Sequence, residues 1–131
     1  MKPEELMIGD WVKYGNHKKV FFLKVTTISR NWVSAETKEG FGLTFSLIDE
    51  MYKIDLSDLE PIELTDEILT KNNFVFTDPW YERKGIPIQI KKEKNFKWLA
   101  SKTGSVNLHF KYVHELQHLM KLCNINQEIT I

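Results

Sequence analysis

The stretch Phe110-Lys-Tyr-Val-His-Glu-Leu-Gln-His-Leu-Met-Lys-Leu-Cys123 carries the strongest helical pattern in this chain of 131 residues. At about 100° per residue, four of its side chains fall on one apolar stripe: Val113, Leu116, Met120 and Cys123. His114 and His118 fall together on the opposite face, which we expect to be polar and exposed to solvent. The stretch therefore predicts an amphipathic helix that packs its apolar stripe on a sheet.

The residues before this helix predict a short helix followed by a β-meander. Thr65 can cap a helix that ends at Asn72, because its hydroxyl can accept a hydrogen bond from an exposed backbone N–H group. The alternating side chains of Ile86, Ile88 and Ile90 indicate a strand with one buried face. Residues 65–131 thus predict an α-β-β-β-α unit, to which residues 129–131 can add an edge strand.

The first half of the chain predicts five short strands joined by tight turns. These strands are expected at residues 8–14, 20–28, 32–36, 43–48 and 60–64, with turns at Gly15-Asn16 and 38–40. The Gly9-Asp-Trp-Val12 opening and a single helical turn at 56–59 resemble the SH3-like barrel superfold. That resemblance implies that the aromatic side chains of the segment fill a small barrel core, with a peptide groove as the alternative, and it implies no particular function.

The predicted fold class is therefore α+β, with an N-terminal SH3-like antiparallel β-barrel fused to the α-β-β-β-α unit. The predicted domains are residues 1–64 and residues 65–131. Since no Gly/Ser-rich linker separates them, one continuous domain is the alternative.

Composition limits the functional classes. The chain has 18 basic and 18 acidic residues, and this balance argues against a dedicated nucleic-acid-binding protein. A single cysteine excludes an internal disulfide and favours a reducing compartment. The acidic start is unlike a signal peptide, and no run approaches the roughly 18 apolar residues of a membrane span. We therefore expect a cytoplasmic protein that does not enter a membrane.

Lysines are concentrated in the second half, where residues 74–131 carry 9 basic and 5 acidic side chains. Five of them follow one another closely: Lys91, Lys92, Lys94, Lys97 and Lys102. The favoured interpretation is a solvated hairpin whose charges protect an edge strand from pairing with other chains. The alternative is weak nucleic-acid binding through this hairpin, with Trp98 as a stacking platform.

His114-Glu-Leu-Gln-His118 matches the H-E-x-x-H pattern of zinc metalloproteases. His114 and His118 would bind the metal, and Glu115 would be the general base that activates its water. The continuation Leu119-Met-Lys-Leu-Cys-Asn124 supplies neither the glycine nor the further histidine of a metzincin, and Glu128 is the only later acid. We therefore predict no catalytic residue, no metal site and no cofactor. The alternative is a minimal zinc-dependent hydrolase that uses these three residues.

Three segments in this order resemble a family of small uncharacterised proteins from gut Bacteroidetes and their mobile elements. They are Lys2-Pro-Glu-Glu-Leu-Met-Ile-Gly-Asp-Trp-Val12, Leu59-Glu-Pro-Ile-Glu-Leu-Thr-Asp-Glu-Ile-Leu69 and Lys111-Tyr-Val-His-Glu-Leu-Gln-His118. The resemblance implies a cytoplasmic location and supplies no mechanism. It also implies that asparagine often stands at the position of His118, which would remove a zinc ligand.

The segment Asp78-Pro-Trp-Tyr-Glu-Arg83 is the strongest candidate for a contact surface. Trp80, Tyr81 and Arg83 are of the residue types that anchor protein interfaces. The structural alternative is that Trp80 covers the junction between barrel and meander. The sequence thus favours a non-catalytic accessory or protein-interaction module with an unknown protein partner, and it leaves the oligomeric state open.

Overall fold

Two antiparallel sheets of five strands each dominate the computed structural model, which describes residues 1–16, 19–37, 54–95, 97–102 and 106–131. The chain divides into two compact units, one of residues 1–62 together with Ile131 and one of residues 63–130. Both sheets are antiparallel and two α-helices accompany them, so the predicted α+β class is confirmed at this level.

The sheet of the first unit has the strand order β4-β3-β2-β1-β5. Its strands are β1 (Trp11–Asn16), β2 (Lys19–Ile28), β3 (Trp32–Thr37), β4 (Ile54–Asp55) and β5 (Leu59–Pro61). Single 3₁₀ turns lie at Pro3–Glu5 and, as predicted, just before β5 at Leu56–Asp58.

One predicted turn of this unit is misplaced. Gly15 and Asn16 lie in β1, where they pair with Val20 and Lys19, because β2 is long enough to continue the ladder of hydrogen bonds. The predicted turn at 38–40 and the predicted strand at 43–48 lie outside the described residues.

Alternation along the strands builds the core of the first unit. Within the described residues, nine buried apolar side chains form it: Leu6, Val12, Leu23, Val25, Val33, Ala35, Ile54, Leu56 and Leu59. Tyr14 and Phe21, which pair across β1 and β2, pack against this cluster. Phe22 points to the other face and is 41% exposed, because successive side chains of a strand alternate.

The second unit begins and ends with a helix around a five-stranded meander. Its elements are α1 (Asp66–Lys71), β6 (Val75–Thr77), β7 (Trp80–Glu82), β8 (Ile88–Lys92), β9 (Trp98–Lys102), β10 (Val106–Phe110) and α2 (Val113–Leu122). The sheet order is β10-β9-β8-β7-β6. The α-β-β-β-α formula counts two strands fewer than the described residues contain, although the sequence also predicts β segments at 74–76 and 80–82, where β6 and β7 lie. Each of β6 and β7 has only three residues, yet together they form a hairpin that extends the sheet from β8.

The predicted cap of α1 is confirmed. The Thr65 hydroxyl accepts a hydrogen bond from the Ile68 N–H at 3.2 Å, and Asn73 ends the helix with a positive φ of 67°. The buried Asn72 side chain donates to the Thr130 carbonyl at 2.6 Å and accepts from the Thr130 N–H at 2.8 Å. Residues 129–131 are therefore not the predicted edge strand, because a side chain takes the place of a strand partner.

The core of the second unit lies on one face of its sheet, which we call the inner face. Five of the described side chains of β8, β9 and β10 are buried on that face: Ile88, Ile90, Trp98, Ala100 and Phe110. From α2, Val113, Leu116 and Met120 are buried, which confirms these three positions of the predicted stripe. Cys123 follows the last turn and is half-buried. Among the described residues, no helix has the length and apolar character that crossing a membrane requires.

Candidate functional site

The histidine pair of α2 does not lie on an exposed face, and the prediction that it does is wrong. His114 is only 6% exposed and His118 is half-buried. The His114 ring stacks on Tyr112 with centroids 5.8 Å apart, and it meets the His118 ring edge-on at 5.6 Å. The reason is that Glu63 and Leu64 pair with residues 111–112 immediately before the helix, which places its first turn inside the unit. A helical wheel gives only the angular positions of side chains, so it could not predict this tertiary pairing.

Glu115 has a structural role in this arrangement. Its Oε1 accepts hydrogen bonds from the backbone N–H groups of Lys111 and Tyr112, both at 3.2 Å. A glutamate at the third helical position commonly reaches back in this way, because the N–H groups at a helix start have no partner within the helix. The carboxylate that the H-E-x-x-H pattern would use as a base is therefore engaged in capping α2.

A zinc site would need further ligands beside the two imidazoles. No group of three or more His, Cys, Asp or Glu side chains that could hold a metal ion occurs in residues 1–16, 19–37, 54–95, 97–102 and 106–131. Glu128, the only acid after His118, is exposed. Within this part of the chain, the residues around α2 do not fit a catalytic zinc ion.

Lys91 and Lys92 of the lysine-rich hairpin do not belong to one cationic surface. The Lys91 Nζ lies 5.3 Å from the centroid of the Trp80 ring and 3.6 Å from Glu93. The Lys92 Nζ lies 3.0 Å from the Asp66 carboxylate. Because successive residues of β8 point to opposite faces, the two charges are separated by the sheet.

Trp98 cannot act as the stacking platform that the nucleic-acid alternative requires. The side chain is only 1% exposed, and its Nε1 donates a hydrogen bond to the Leu64 carbonyl at 3.1 Å. The interpretation that the lysines of this hairpin protect an edge strand is wrong as well, because β8 and β9 are interior strands of the sheet. A nucleic-acid base could stack on Trp98 only if the side chains packed on the inner face moved apart.

Tyr81 points to the inner face and is buried, whereas its neighbour Trp80 is half-exposed on the other face. The Tyr81 hydroxyl donates to the Asp66 carboxylate at 2.5 Å. This hydrogen bond raises the pKa of Tyr81 to about 12 and, together with Lys92, lowers the pKa of Asp66. Tyr81 therefore belongs to the interior of its unit and not to a contact surface.

Trp80 lies in a row of cross-strand neighbours on the outer face of the second sheet. The row follows the pairing of all five strands: Thr77, Trp80, Lys91, Leu99 and His109. All five side chains are exposed or half-buried. Trp80 is the member of this row whose residue type is enriched among interface anchors.

Arg83 lies beside this row, at a cavity of about 350 Å³. The loop that follows β7 carries Arg83 and Lys84 over outer-face residues of β6 and β7, namely Val75, Thr77 and Glu82. The loop turns at Gly85, whose φ of 84° suits glycine, and the Ile86 N–H closes it by donating to the Arg83 carbonyl. The fold thus brings Trp80 and Arg83 to the same side of the sheet.

The sequence analysis missed that Lys91 belongs with Trp80. The two residues are 11 positions apart, and they become neighbours only through the register in which Trp80 pairs with Lys91. The alternation of Ile86, Ile88 and Ile90 puts Lys91 on the face opposite to these isoleucines, but nothing local to either segment fixes the register in which β7 and β8 pair.

Comparison of this chain with protein-family models, with curated proteins and with solved structures gave no match.

Proposed function

We propose that the protein is a non-catalytic interaction module that binds a protein partner through the outer face of its second sheet, around Trp80 and Arg83. The observation that carries this proposal is the accessible row of side chains in which Trp80 stands beside Lys91, next to the cavity under Arg83.

The chemistry of this face suits a partner with acidic and apolar side chains. Within the described residues neither Arg83 nor Lys84 forms an ion pair, whereas Glu82 accepts a hydrogen bond from Gln89 at 2.5 Å. Trp80 is already held in place by the Lys91 ammonium over its ring, so little side-chain entropy is lost when a partner packs on it.

We also propose that the first unit is an SH3-like barrel. The strand order β4-β3-β2-β1-β5 and the 3₁₀ turn directly before β5 support this assignment. Membership of the Bacteroidetes family of small cytoplasmic proteins is likewise a proposal, supported by the three segments quoted above. Neither assignment supplies a function by itself, because small barrels serve many functions.

The interaction is tested by capturing partners from a cell extract of a gut Bacteroidetes species, the source that the proposed family implies, with immobilised wild-type protein, Trp80→Ala, Arg83→Glu and Phe22→Ala. Phe22→Ala is the matched control, because it removes a similarly accessible aromatic ring from the first unit. We expect a protein that the wild type and Phe22→Ala retain and that Trp80→Ala and Arg83→Glu lose at least about tenfold, as for an interface anchor worth more than about 1.4 kcal/mol. Retention of the same proteins by all four variants would contradict the proposal.

A further inference from the structure

A second cavity of the second unit lies between the end of α2 and the inner face of the sheet, and has a volume of about 290 Å³. We call it the α2 groove. Its lining is mostly apolar and includes Ala100 and Leu108 from the sheet, and Leu119, Leu122 and Cys123 from the end of the helix. Among the described residues, Lys102 is the only basic side chain that lines it.

The groove exists because α2 ends before it covers the sheet. Val113 and Leu116 in its first turn are fully buried, whereas Leu122 in its last turn is 80% exposed. Asn124 then adopts a positive φ of 56°, a conformation that ends the helix. Leu108 of the edge strand β10 is therefore left 44% exposed beside the helix end.

Lys102 differs from the other two lysines placed on strands β8 and β9. Lys91 and Lys92 have acidic neighbours, Glu93 and Asp66, at 3.6 Å and 3.0 Å. Within the described residues, Lys102 forms no ion pair. Because Trp98, Ala100 and Lys102 alternate with outward-pointing residues, the Lys102 side chain stands on the inner face at the rim of the apolar lining.

We propose that the α2 groove binds an amphipathic carboxylate, with the alkyl chain against Leu108, Leu119 and Leu122 and the carboxylate at the Lys102 ammonium. Apolar walls with one cation at the rim complement a ligand that has an apolar tail and one anionic end. The volume is at the lower limit of ligand sites, which span roughly 300–1,000 Å³, and so it fits a medium-length chain better than a nucleotide. This site is independent of the Trp80 surface.

Cys123 makes the proposal testable, because it is the only cysteine of the chain and it lines the groove. The rate at which 5,5′-dithiobis(2-nitrobenzoate) modifies this thiol is measured with increasing decanoate or decanol, below their aggregation limits. We expect decanoate to slow the modification at least about tenfold at saturation. We also expect decanol, which has the same tail and no charge, to need about a tenfold higher concentration for half of its effect.

Three variants separate the tail from the charge. Lys102→Glu is expected to raise the half-saturating concentration of decanoate about tenfold and to leave that of decanol unchanged, while Lys97→Glu, an exposed lysine before β9, changes neither. Leu122→Asn, at a position too exposed to be needed for folding, is expected to weaken both ligands. Calorimetric titration of decanoate into the wild type and Lys102→Glu checks the same difference without the thiol.

Two results would overturn the proposal. One is the absence of any protection or heat of binding by decanoate. The other is equal protection by decanoate and decanol that Lys102→Glu does not alter, which would show that the groove binds apolar chains without using the Lys102 ammonium.

Discussion

The hydrogen bond between Tyr81 and Asp66 joins a buried side chain of β7 to the first residue of α1. The neutral phenol donates to the carboxylate, so the folded state favours a protonated tyrosine beside an ionised aspartate. The pKa of Tyr81 is accordingly raised from 10.0 to about 12, and that of Asp66 is lowered below its ordinary value of 3.8.

These shifts predict how the stability of the second unit depends on pH. Between about pH 10 and 12, folded Tyr81 keeps a proton that the unfolded chain has released, so the free energy of unfolding falls as the pH rises through this range. At the acid end, the stabilisation by Asp66 is complete above pH 3.8 and is lost as the pH falls through its lowered pKa.

Urea unfolding of the wild type and of Tyr81→Phe at a series of alkaline pH values measures the first effect. We expect the stability of the wild type to fall more steeply above about pH 10 than that of Tyr81→Phe, which has no phenol to ionise at this position. Parallel pH curves for the two proteins would show that the hydrogen bond does not perturb Tyr81.

At the same scale, neighbours in sequence can have opposite roles. Trp80 and Tyr81 are both of residue types that are enriched among interface anchors. Only Trp80 faces outward, because successive side chains of β7 point to opposite faces. The sequence identified the right segment for a contact surface and could not assign its two aromatic side chains to faces, since three residues are too few to establish a pattern.

At the scale of elements, α2 shows how a motif can match a catalytic pattern and act as a helix cap. Glu115 stands at the third helical position, where its carboxylate satisfies two backbone N–H groups and a negative charge interacts favourably with the helix dipole. The spacing of His114 and His118 is the spacing of any two residues one helical turn apart, so it does not by itself indicate a metal site.

The cap predicts a specific order of stabilities. Glu115→Ala is expected to lower the free energy of unfolding by about 1 kcal/mol, because two N–H groups lose their acceptor. Glu115→Gln is expected to lose less than half as much, since its amide oxygen can accept the same hydrogen bonds. Chemical denaturation of the three proteins measures the order. Equal losses in both variants would show that the charge, and not the hydrogen bonds, stabilises the helix start.

At the scale of the whole molecule, the metal content of the purified protein tests the zinc alternative directly. Because Glu115 caps the helix and the described residues supply no third ligand beside the histidines, we expect far less than one zinc per chain after dialysis against a weak chelator. The midpoint of thermal unfolding should be the same with and without EDTA. The protein is purified without a metal column, and His118→Asn is the control. Close to one zinc per chain in the wild type and none in His118→Asn would contradict this expectation.

Much of the fold followed from local patterns. The cap at Thr65, the limits of β2 and β3, the 3₁₀ turn before β5 and the apolar positions Val113, Leu116 and Met120 all agree with the structure. Each depends on neighbours within a few residues, where turn chemistry and periodicity act. The errors are of a different kind: the number of strands in the α-β-β-β-α formula, the placement of Gly15 and Asn16, and the exposure of His114 all depend on pairing with distant segments.

The sequence by itself determined the class of the fold and the positions of most elements, because hydrophobic periodicity and capping are properties of contiguous residues. The tertiary structure alone decided which chemistry is accessible. It buried Trp98, whose Nε1 donates a hydrogen bond to the Leu64 carbonyl. It also brought Lys91 next to Trp80 through the register of β7 and β8. It also left the α2 groove open, because the helix stops short of the edge of the sheet. Register and the extent of packing are set by contacts between segments far apart in the chain, and a sequence pattern does not specify these.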